Sequence, residues 1–224
     1  MQVDHKQHTG NDLTVVNAAR VSFNKESSYV GQGPNRDLKL EDQKLIRFLA
    51  REGHFTPFTH CHITLYEKVP LFVARQRFKH TIGFSYNEAS RRYVDNDPEY
   101  YTPDEWRGKA SNKKQGSSDV VIDINPVTQN GRAMVDDYQR VLNRCDIAYK
   151  SLLAKGVCPE QARMVLPQSM YTEYYVTGSL MAFARAYNLR SDENAQVEIQ
   201  QLAGMWNSIL SDLYPHSWAA LVES

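Results

Sequence analysis

Side chains that could bind or transform a ligand are concentrated in one stretch, from Ala74 to Tyr93. Five of its residues are cationic: Arg75, Arg77, Lys79, Arg91 and Arg92. Amide, hydroxyl, imidazole and carboxylate side chains are mixed with them at Gln76, His80, Ser85, Asn87, Glu88 and Ser90. A solvated basic surface usually carries lysine and glutamate with little else, so this mixture favours a ligand site. Paired arginines and hydroxyls suit a phosphate, with a heterocycle alongside.

The elements that must position these residues are predicted on either side of Pro70. A strand is expected to end near Val69, and a helix with Pro70 in its first turn is expected to run to about Thr81. On that helix Gln76, Lys79, His80 and Gly83 would share one face, because they are three or four residues apart. The segment 85–93 is predicted to form turns.

Composition narrows the class of protein. The formal net charge is zero, which argues against a general nucleic-acid coat protein, because such binding needs a broad excess of lysine and arginine. The cysteines Cys61, Cys145 and Cys158 are far apart and indicate neither a disulfide framework nor a zinc ribbon. Neither a signal peptide nor a membrane span is recognisable, so we expect a cytoplasmic protein with no membrane partner. Residues 1–224 are predicted to form one domain, with a flexible insertion near 107–119.

The first half of the chain is predicted to contain two helices and a strand. A helix behind Asn11 or Asp12 is followed by a loop over 24–36, and a second helix over 40–52 is stopped by Gly53. Alternating apolar residues predict a half-buried strand over 60–69. His60 and His62 would share its outer face, but no acid or cysteine completes a ligand set, so no metal is expected. His54 follows Gly53 in a loop that would line a pocket.

The second half is predicted to be almost entirely helical. Its helices are expected over 136–155, with Val141 and Leu142 inward, from Pro159 to before Pro167, over 171–187, and after Asp192. The fold class is therefore α+β: a small mixed or antiparallel sheet, with a helix-rich C-terminal half.

Five motifs together resemble the flavin-dependent thymidylate synthase family, and they cover nearly the whole chain. In chain order they are GNDLTVVNAARVSF, HFTPFTH, ARQ…SYNEASRRY, ARMVLP and NLRSDENAQVEIQ. The family signature is an Arg-His-Arg triplet followed seven residues later by serine. Here the triplet is Lys79-His80-Thr81, and eight residues precede Ser90.

The resemblance implies methylation of dUMP at C5 to give dTMP. Methylenetetrahydrofolate would be the carbon donor, FAD the redox mediator and NADPH the reductant. The implied fold is the family's α+β domain, and the implied assembly is a homotetramer whose active sites are built from more than one subunit. The partners are then small molecules, with no nucleic acid.

The resemblance also implies residue roles. Arg190 would be catalytic, stabilising charge on the uracil. Residues implied to contact dUMP are Gln76, Lys79, Glu88, Ser90, Arg91, Arg92, Arg163 and Arg190. Residues implied at the flavin and folate are His54, Thr56, Lys79, His80, Thr81, Glu88, Tyr93, Ser179, Arg185 and Asn194.

Two other functional interpretations of the sequence remain open. A thymidylate synthase with a cysteine nucleophile would need an activated thiol, and Cys158, beside Pro159, is the candidate. A single-strand nucleic-acid-binding module would instead use the 75–93 stretch as a platform for stacked bases. Its cations would be Arg75, Arg77 and Lys79, and its aromatic residues Phe78, Phe84, Tyr86 and Tyr93.

Overall fold

The computed structural model describes residues 1–33, 36–93, 97–110, 116–124 and 134–222. Six strands lie in these ranges: β1 Gln2–Thr9, β2 His62–Pro70, β3 Phe84–Glu88, β4 Trp106–Lys109, β5 Ser117–Ile122 and β6 Tyr171–Ser179. Eight α-helices accompany them: α1 Asp12–Arg20, α2 Leu40–Arg51, α3 Leu71–Arg77, α4 Met134–Ala154, α5 Pro159–Ala162, α6 Leu180–Arg190, α7 Val197–Leu213 and α8 Pro215–Val222. Short 3-10 helices cover Val21–Phe23, Thr56–His60 and Arg163–Val165. The predicted α+β class is confirmed.

Four strands form the main sheet in the order β1-β2-β6-β3, and β4 pairs with β5 antiparallel. The prediction of a helix over 171–187 was wrong for its first part, because Tyr171–Ser179 is β6, and correct for residues 180–187, which belong to α6. Tyr171, Tyr174 and Tyr175 fit helical spacing, but the same segment contains the β-branched residues Thr172, Val176 and Thr177, which favour a strand. Burial alternates along this strand, with Thr172, Tyr174 and Val176 buried and Tyr175 exposed. Strands are therefore not confined to the first half of the chain.

The helix after Pro70 is shorter than predicted. Pro70 is the last residue of β2, and α3 ends at Arg77. Lys79, His80 and Gly83 therefore lie beyond the helix, so the predicted shared helical face is wrong. The segment 85–93 also differs from its prediction, since β3 runs to Glu88 and the turn is confined to 91–93.

Strand β2 was predicted at nearly its observed length, but its buried face contains a charge. Ile63, Leu65 and Val69 are buried as expected, and Glu67 on the same face is buried with them. The Trp206 indole Nε1 donates to the Glu67 carboxylate at 2.9 Å. A buried carboxylate needs such a donor, because burial without one costs several kcal/mol.

Several smaller predictions can be compared with the structure. Asn11 caps α1, accepting a hydrogen bond from the Thr14 amide, and α2 ends one residue before its expected limit. Val141 of α4 was predicted inward but is 55% exposed.

Strand β1 was not predicted. Nor were β4 and β5, which lie partly in the segment where composition suggested irregular chain.

The chain divides into two compact units. The first unit contains Met1, Lys68–Arg77 and Glu88–Tyr174, and the second contains Gln2–Glu67, Phe78–Asn87 and Tyr175–Ser224. In the second unit α6, α7 and α8 pack against one another around buried Phe183, Trp206 and Trp218. In the first unit α4 packs on α5 with Leu142 and Tyr149 buried. No helix in the described ranges is long and apolar enough to cross a membrane.

Candidate active site

A pocket of about 810 Å³ lies within the first unit. Its walls are the end of β2, the start of β6, the chain that follows β3, and α5 with the 3-10 helix after it. This volume is in the range that holds a small organic ligand. Of the residues that the structure describes, four cations line it, at Lys68, Arg91, Arg92 and Arg163, and so do four glutamates, at Glu88, Glu99, Glu160 and Glu173. Five residues of the predicted nucleotide set are thus brought together, namely Glu88, Ser90, Arg91, Arg92 and Arg163.

A tight turn presents Ser90 and Arg92 to the pocket. The Tyr93 amide donates to the Ser90 carbonyl at 2.9 Å, which closes the turn. The Ser90 hydroxyl oxygen accepts from the Arg92 amide at 3.3 Å and from Arg92 Nε at 3.2 Å. With its oxygen facing two donors, the hydroxyl keeps its own proton for an acceptor such as a phosphate oxygen. These neighbours are donors and cannot serve as a base, so they do not activate Ser90 as a nucleophile.

The guanidinium groups of Arg92 and Arg163 approach the pocket from different elements. Arg92 Nη1 lies 3.4 Å from Glu160 Oε1, and both side chains are substantially exposed. Arg163 follows directly after α5, which Pro159 starts. Within the described ranges the exposed Arg163 side chain has no hydrogen bond or ion pair. A cation of this kind is available to an anionic ligand.

Glu88, at the end of β3, is held by a threonine of the neighbouring strand β6. The buried Thr172 hydroxyl donates to Glu88 Oε1 at 2.6 Å. The backbone is fixed at the same place, since the Ala89 amide donates to the Glu173 carbonyl at 2.9 Å. The contact orients one carboxylate oxygen and leaves the other available to donors on a ligand.

Lys68 and Glu99 form an ion pair that sequence reasoning missed. Lys68 Nζ lies 2.7 and 2.8 Å from the two oxygens of Glu99, and 5.9 Å from the centre of the Tyr171 ring. The Glu99 carbonyl accepts from the Tyr171 amide at 2.8 Å. Lys68 could have been found as the last polar side chain on the outer face of β2, but nothing in the sequence placed Glu99 beside it.

The second unit contains the turn from Lys79 to Gly83, next to α6. Arg190 Nε donates to His80 Nε2 at 2.8 Å, and the Tyr86 hydroxyl donates to the His80 carbonyl at 2.7 Å. Arg185 Nη2 donates to the Ile82 carbonyl at 3.0 Å. The side chains of His80, Arg185 and Arg190 thus hold this turn in place.

Gly83 allows the turn to lie close to the start of α6. Its φ is +80°, and a Cβ atom built on it would come within 2.9 Å of Ala182 Cβ. The Ser179 amide donates to the Gly83 carbonyl at 3.2 Å. The hydroxyl of Ser179 caps α6 by accepting from the Ala182 amide at 3.2 Å. Its oxygen therefore already has a partner.

Comparison with known proteins gives a consistent result. Residues 5–216 match the protein family described as "Thymidylate synthase complementing protein". A flavin-dependent thymidylate synthase of Thermosipho africanus is 38% identical over 214 residues, covering 96% of this chain and 87% of the relative. The Thermus thermophilus enzyme of the same name is 36% identical over 214 residues, covering 96% of this chain and 73% of that one. The chain belongs to the flavin-dependent thymidylate synthase family.

A solved structure of a nucleotide methylase has the same fold. The UMP/dUMP methylase PolB from Streptomyces cacaoi, bound with 5-Br dUMP, superposes with a TM-score of 0.80 at 28% identity. The alignment covers 99% of this chain and 94% of PolB.

The residues present fit the cofactor that gives the family its name. Lys79 is exposed and has no side-chain partner within the described ranges, and Thr81 is exposed beside it. An unpaired ammonium and a hydroxyl suit the anionic part of a flavin dinucleotide. His54 is also exposed, and its ring lies 5.9 Å from that of Phe48 in an edge-to-face arrangement.

The other residues predicted at the cofactor differ in their exposure and in their hydrogen-bond partners. Tyr93 is 77% exposed and lies under the Arg92 guanidinium, 5.2 Å from it. Thr56 begins a 3-10 helix, and its carbonyl accepts from the Thr59 hydroxyl. The Asn194 amide group donates to Asp192 at 3.0 Å. Asp192 does not cap the last long helix, whose N-cap is Gln196.

Gln76 and Arg190 lie elsewhere than the other predicted nucleotide contacts. Gln76 lies on α3, half-buried, outside the lining of the pocket. Arg190 and Lys79 belong to the second unit. Their roles toward a nucleotide stay predictions.

The structure weakens the two alternative readings. The nucleic-acid platform needs Arg77 at the surface, but Arg77 is fully buried, and the ring of Phe84 packs edge-to-face on Phe183 at 4.9 Å. Burial raises the pKa of the Cys61 thiol to about 12, so it is not a nucleophile at neutral pH. Cys158 is exposed at the N-cap of α5 and does not line the pocket.

Proposed function

We propose that this protein catalyses the reductive methylation of dUMP at C5 to give dTMP. The observation that carries the proposal is the pocket of the first unit, where Ser90, Arg92 and Arg163 present donors to one space. Membership of the flavin-dependent thymidylate synthase family supplies the reaction class. In the net reaction C5 loses a proton and gains a methyl group. Methylenetetrahydrofolate provides the carbon and leaves as tetrahydrofolate, and NADPH is oxidised to NADP⁺.

The phosphate of dUMP is the group that the pocket recognises. Arg163 has an open guanidinium, and Arg92 is paired only at 3.4 Å, longer than a charge-assisted hydrogen bond. The phosphate oxygens would give Arg163 an acceptor that it lacks among the described residues, and would give Arg92 a closer acceptor than Glu160. The Ser90 hydroxyl donates to the same phosphate, and Arg91 adds positive charge from the neighbouring position. Glu88 accepts from a donor elsewhere on the nucleotide.

Arg190 is proposed to act on the uracil ring. When C5 attacks the one-carbon group, negative charge spreads over N3 and its flanking carbonyl oxygens. A planar guanidinium stabilises such charge through parallel donors. The contact of Arg190 Nε with His80 fixes the plane of that group in advance.

FAD is proposed to bind to the residues that the family resemblance assigns to it and to supply the transfer of reducing equivalents from NADPH. The proposed contacts are His54, Thr56, Lys79, His80, Thr81, Glu88, Tyr93, Ser179, Arg185 and Asn194. We further propose that the protein is a homotetramer in which more than one subunit contributes to each site.

A second candidate differs only in the sugar of the substrate. Similarity to PolB, described as a UMP/dUMP methylase, supports a protein that accepts UMP as well as dUMP. The two candidates share the phosphate and the uracil, so they predict the same pocket contacts and different products.

The test is product formation from purified protein. Protein, FAD, NADPH and methylenetetrahydrofolate are incubated with dUMP or UMP. The nucleotides are then separated by chromatography and identified by mass spectrometry. Mixtures lacking one component serve as controls. We expect dTMP that requires every component, and a flavin spectrum on the protein. Absence of methylated product from both nucleotides would overturn the proposal, whereas product from both would establish the second candidate.

A further inference from the structure

Glu160 places a carboxylate beside the cations of the pocket. Its Oε1 lies 3.4 Å from Arg92 Nη1, and its side chain is 60% exposed. It stands three residues before Arg163, a spacing that puts the two side chains on the same side of the first turn. The proposed phosphate site therefore contains a negative charge next to its arginines.

Glu160 differs from another glutamate of the same pocket. Both oxygens of Glu99 are within 2.8 Å of Lys68 Nζ, so its charge is neutralised locally. The Arg92–Glu160 distance is longer than a charge-assisted hydrogen bond, and both partners are exposed, which makes the ion pair weak. An arriving anion can replace Glu160 on Arg92, but the charge of Glu160 remains nearby.

The cost of this charge depends on how many phosphates the ligand has. The first phosphate gains hydrogen bonds from the arginines and from Ser90, which outweigh its repulsion from one carboxylate. A second phosphate is joined to the first through a single oxygen atom, so it stays within several ångströms of Glu160 whichever way it points. That distance is shorter than the screening length of about 8 Å at physiological ionic strength. Among the described residues the lining offers no further cation to compensate, since its four cations are matched by four glutamates.

We propose that Glu160 is a specificity-determining residue that restricts the pocket to nucleotides with one phosphate. The inference rests on the proposed function, since it assumes that a uridine nucleotide binds with its phosphate on Arg92 and Arg163. Glu160 acts by repelling the additional phosphates of dUDP and dUTP.

Isothermal titration calorimetry of the full chain tests this proposal. Wild type, Glu160→Gln and Glu99→Gln are each titrated with dUMP, dUDP and dUTP in magnesium-free buffer. Glu160→Gln should improve dUTP affinity relative to dUMP by about three- to tenfold, the effect of removing one like charge at this distance. The gain should shrink in high salt. Glu99→Gln also removes one negative charge from the pocket, but this charge contacts Lys68 and not Arg92, so the ratio should change less than in Glu160→Gln.

Each other outcome has a definite meaning. Equal loss of affinity for all three nucleotides in Glu160→Gln would show that Glu160 only positions Arg92, and would overturn the proposal. An unchanged ratio, or the same change in Glu99→Gln, would also overturn it. A wild type that fails to bind dUMP would instead contradict the proposed function. Melting temperatures verify folding, and Glu160→Ala repeats the test if the glutamine variant is unstable.

Discussion

Arg163 in the first unit and Arg190 in the second carry the same guanidinium, but they differ in what it contacts. Arg163 lines a pocket and has no partner within the described ranges. Arg190 donates to His80 at 2.8 Å, and nearby Arg185 donates to the Ile82 carbonyl. The pocket thus leaves donors available to a ligand, whereas the turn from Lys79 to Gly83 uses them to fix the chain. Residue type alone does not distinguish these uses.

The largest effect is expected at Arg190. Arg190→Lys keeps the charge but loses the planar donors, and we expect kcat to fall by about a hundred- to a thousandfold, the usual cost of a lost transition-state donor. Loss of the bond to His80 should lower the free energy of unfolding by only about 1 kcal/mol. Steady-state kinetics and thermal melts are compared with Arg51→Lys, which is also in the last turn of a helix. Parallel losses of rate and stability would mark Arg190 as structural.

Arg163 should affect binding rather than folding. Arg163→Ala removes charge-assisted hydrogen bonds to the phosphate, and we expect dUMP affinity to fall by about a hundredfold. The exposed Arg144 lies outside the pocket lining, so Arg144→Ala is the matched control in the calorimetric titration. If both variants weaken binding equally, the effect comes from net charge and not from the pocket.

The Ser90→Ala variant distinguishes a hydrogen-bonding role of Ser90 from a role as covalent nucleophile. Ser90→Ala loses one hydrogen bond to a charged group, so dUMP affinity should fall by about ten- to a hundredfold, with turnover retained at saturating dUMP. Binding is measured by calorimetry and turnover by dTMP formation. Unchanged binding with no product at saturation would indicate a nucleophilic serine and contradict the donor role.

The rigidity of the turn can be tested at Gly83. Gly83→Ala would place a Cβ 2.9 Å from Ala182 Cβ at positive φ, whereas Gly53→Ala has a similar φ with no atom within 4 Å. Both substitutions carry the left-handed penalty, but only the first adds a clash. We expect Gly83→Ala to lower the free energy of unfolding by about 1–2 kcal/mol more than Gly53→Ala. Denaturant titration measures the difference, and equal losses would show that the turn can move away from α6.

Sequence patterns predicted helices α1 and α2 well, but they predicted the strands of the main sheet poorly. The caps at Asn11 and Gly53 are local signals, so the start of α1 and both ends of α2 were predicted within one or two residues. Strand β6 was mistaken for a helix because its tyrosines fit helical spacing and its pairing partners are distant in sequence. Strand β1 is exposed along most of its length, so it carries no alternating pattern.

Some residues of the candidate site were predicted and others were missed, for a related reason. The family resemblance supplied Ser90, Arg92 and Arg163, which the structure brings to one pocket. It did not supply Glu99 or Glu160, which matter through contacts with cations far away in the chain. Pairings of this kind are set by the tertiary fold. Glu160 had one local signal, its spacing of three residues from Arg163.

The most direct test of the central claim compares dUMP with deoxyuridine, which lacks only the phosphate, in wild type and Arg163→Ala. We predict that wild type binds dUMP at least about a hundredfold more tightly than deoxyuridine, as expected for several charge-assisted contacts. Arg163→Ala should remove most of that difference while leaving deoxyuridine affinity unchanged. Equal affinity of wild type for both ligands, or a difference that survives the substitution, would contradict a phosphate site in this pocket.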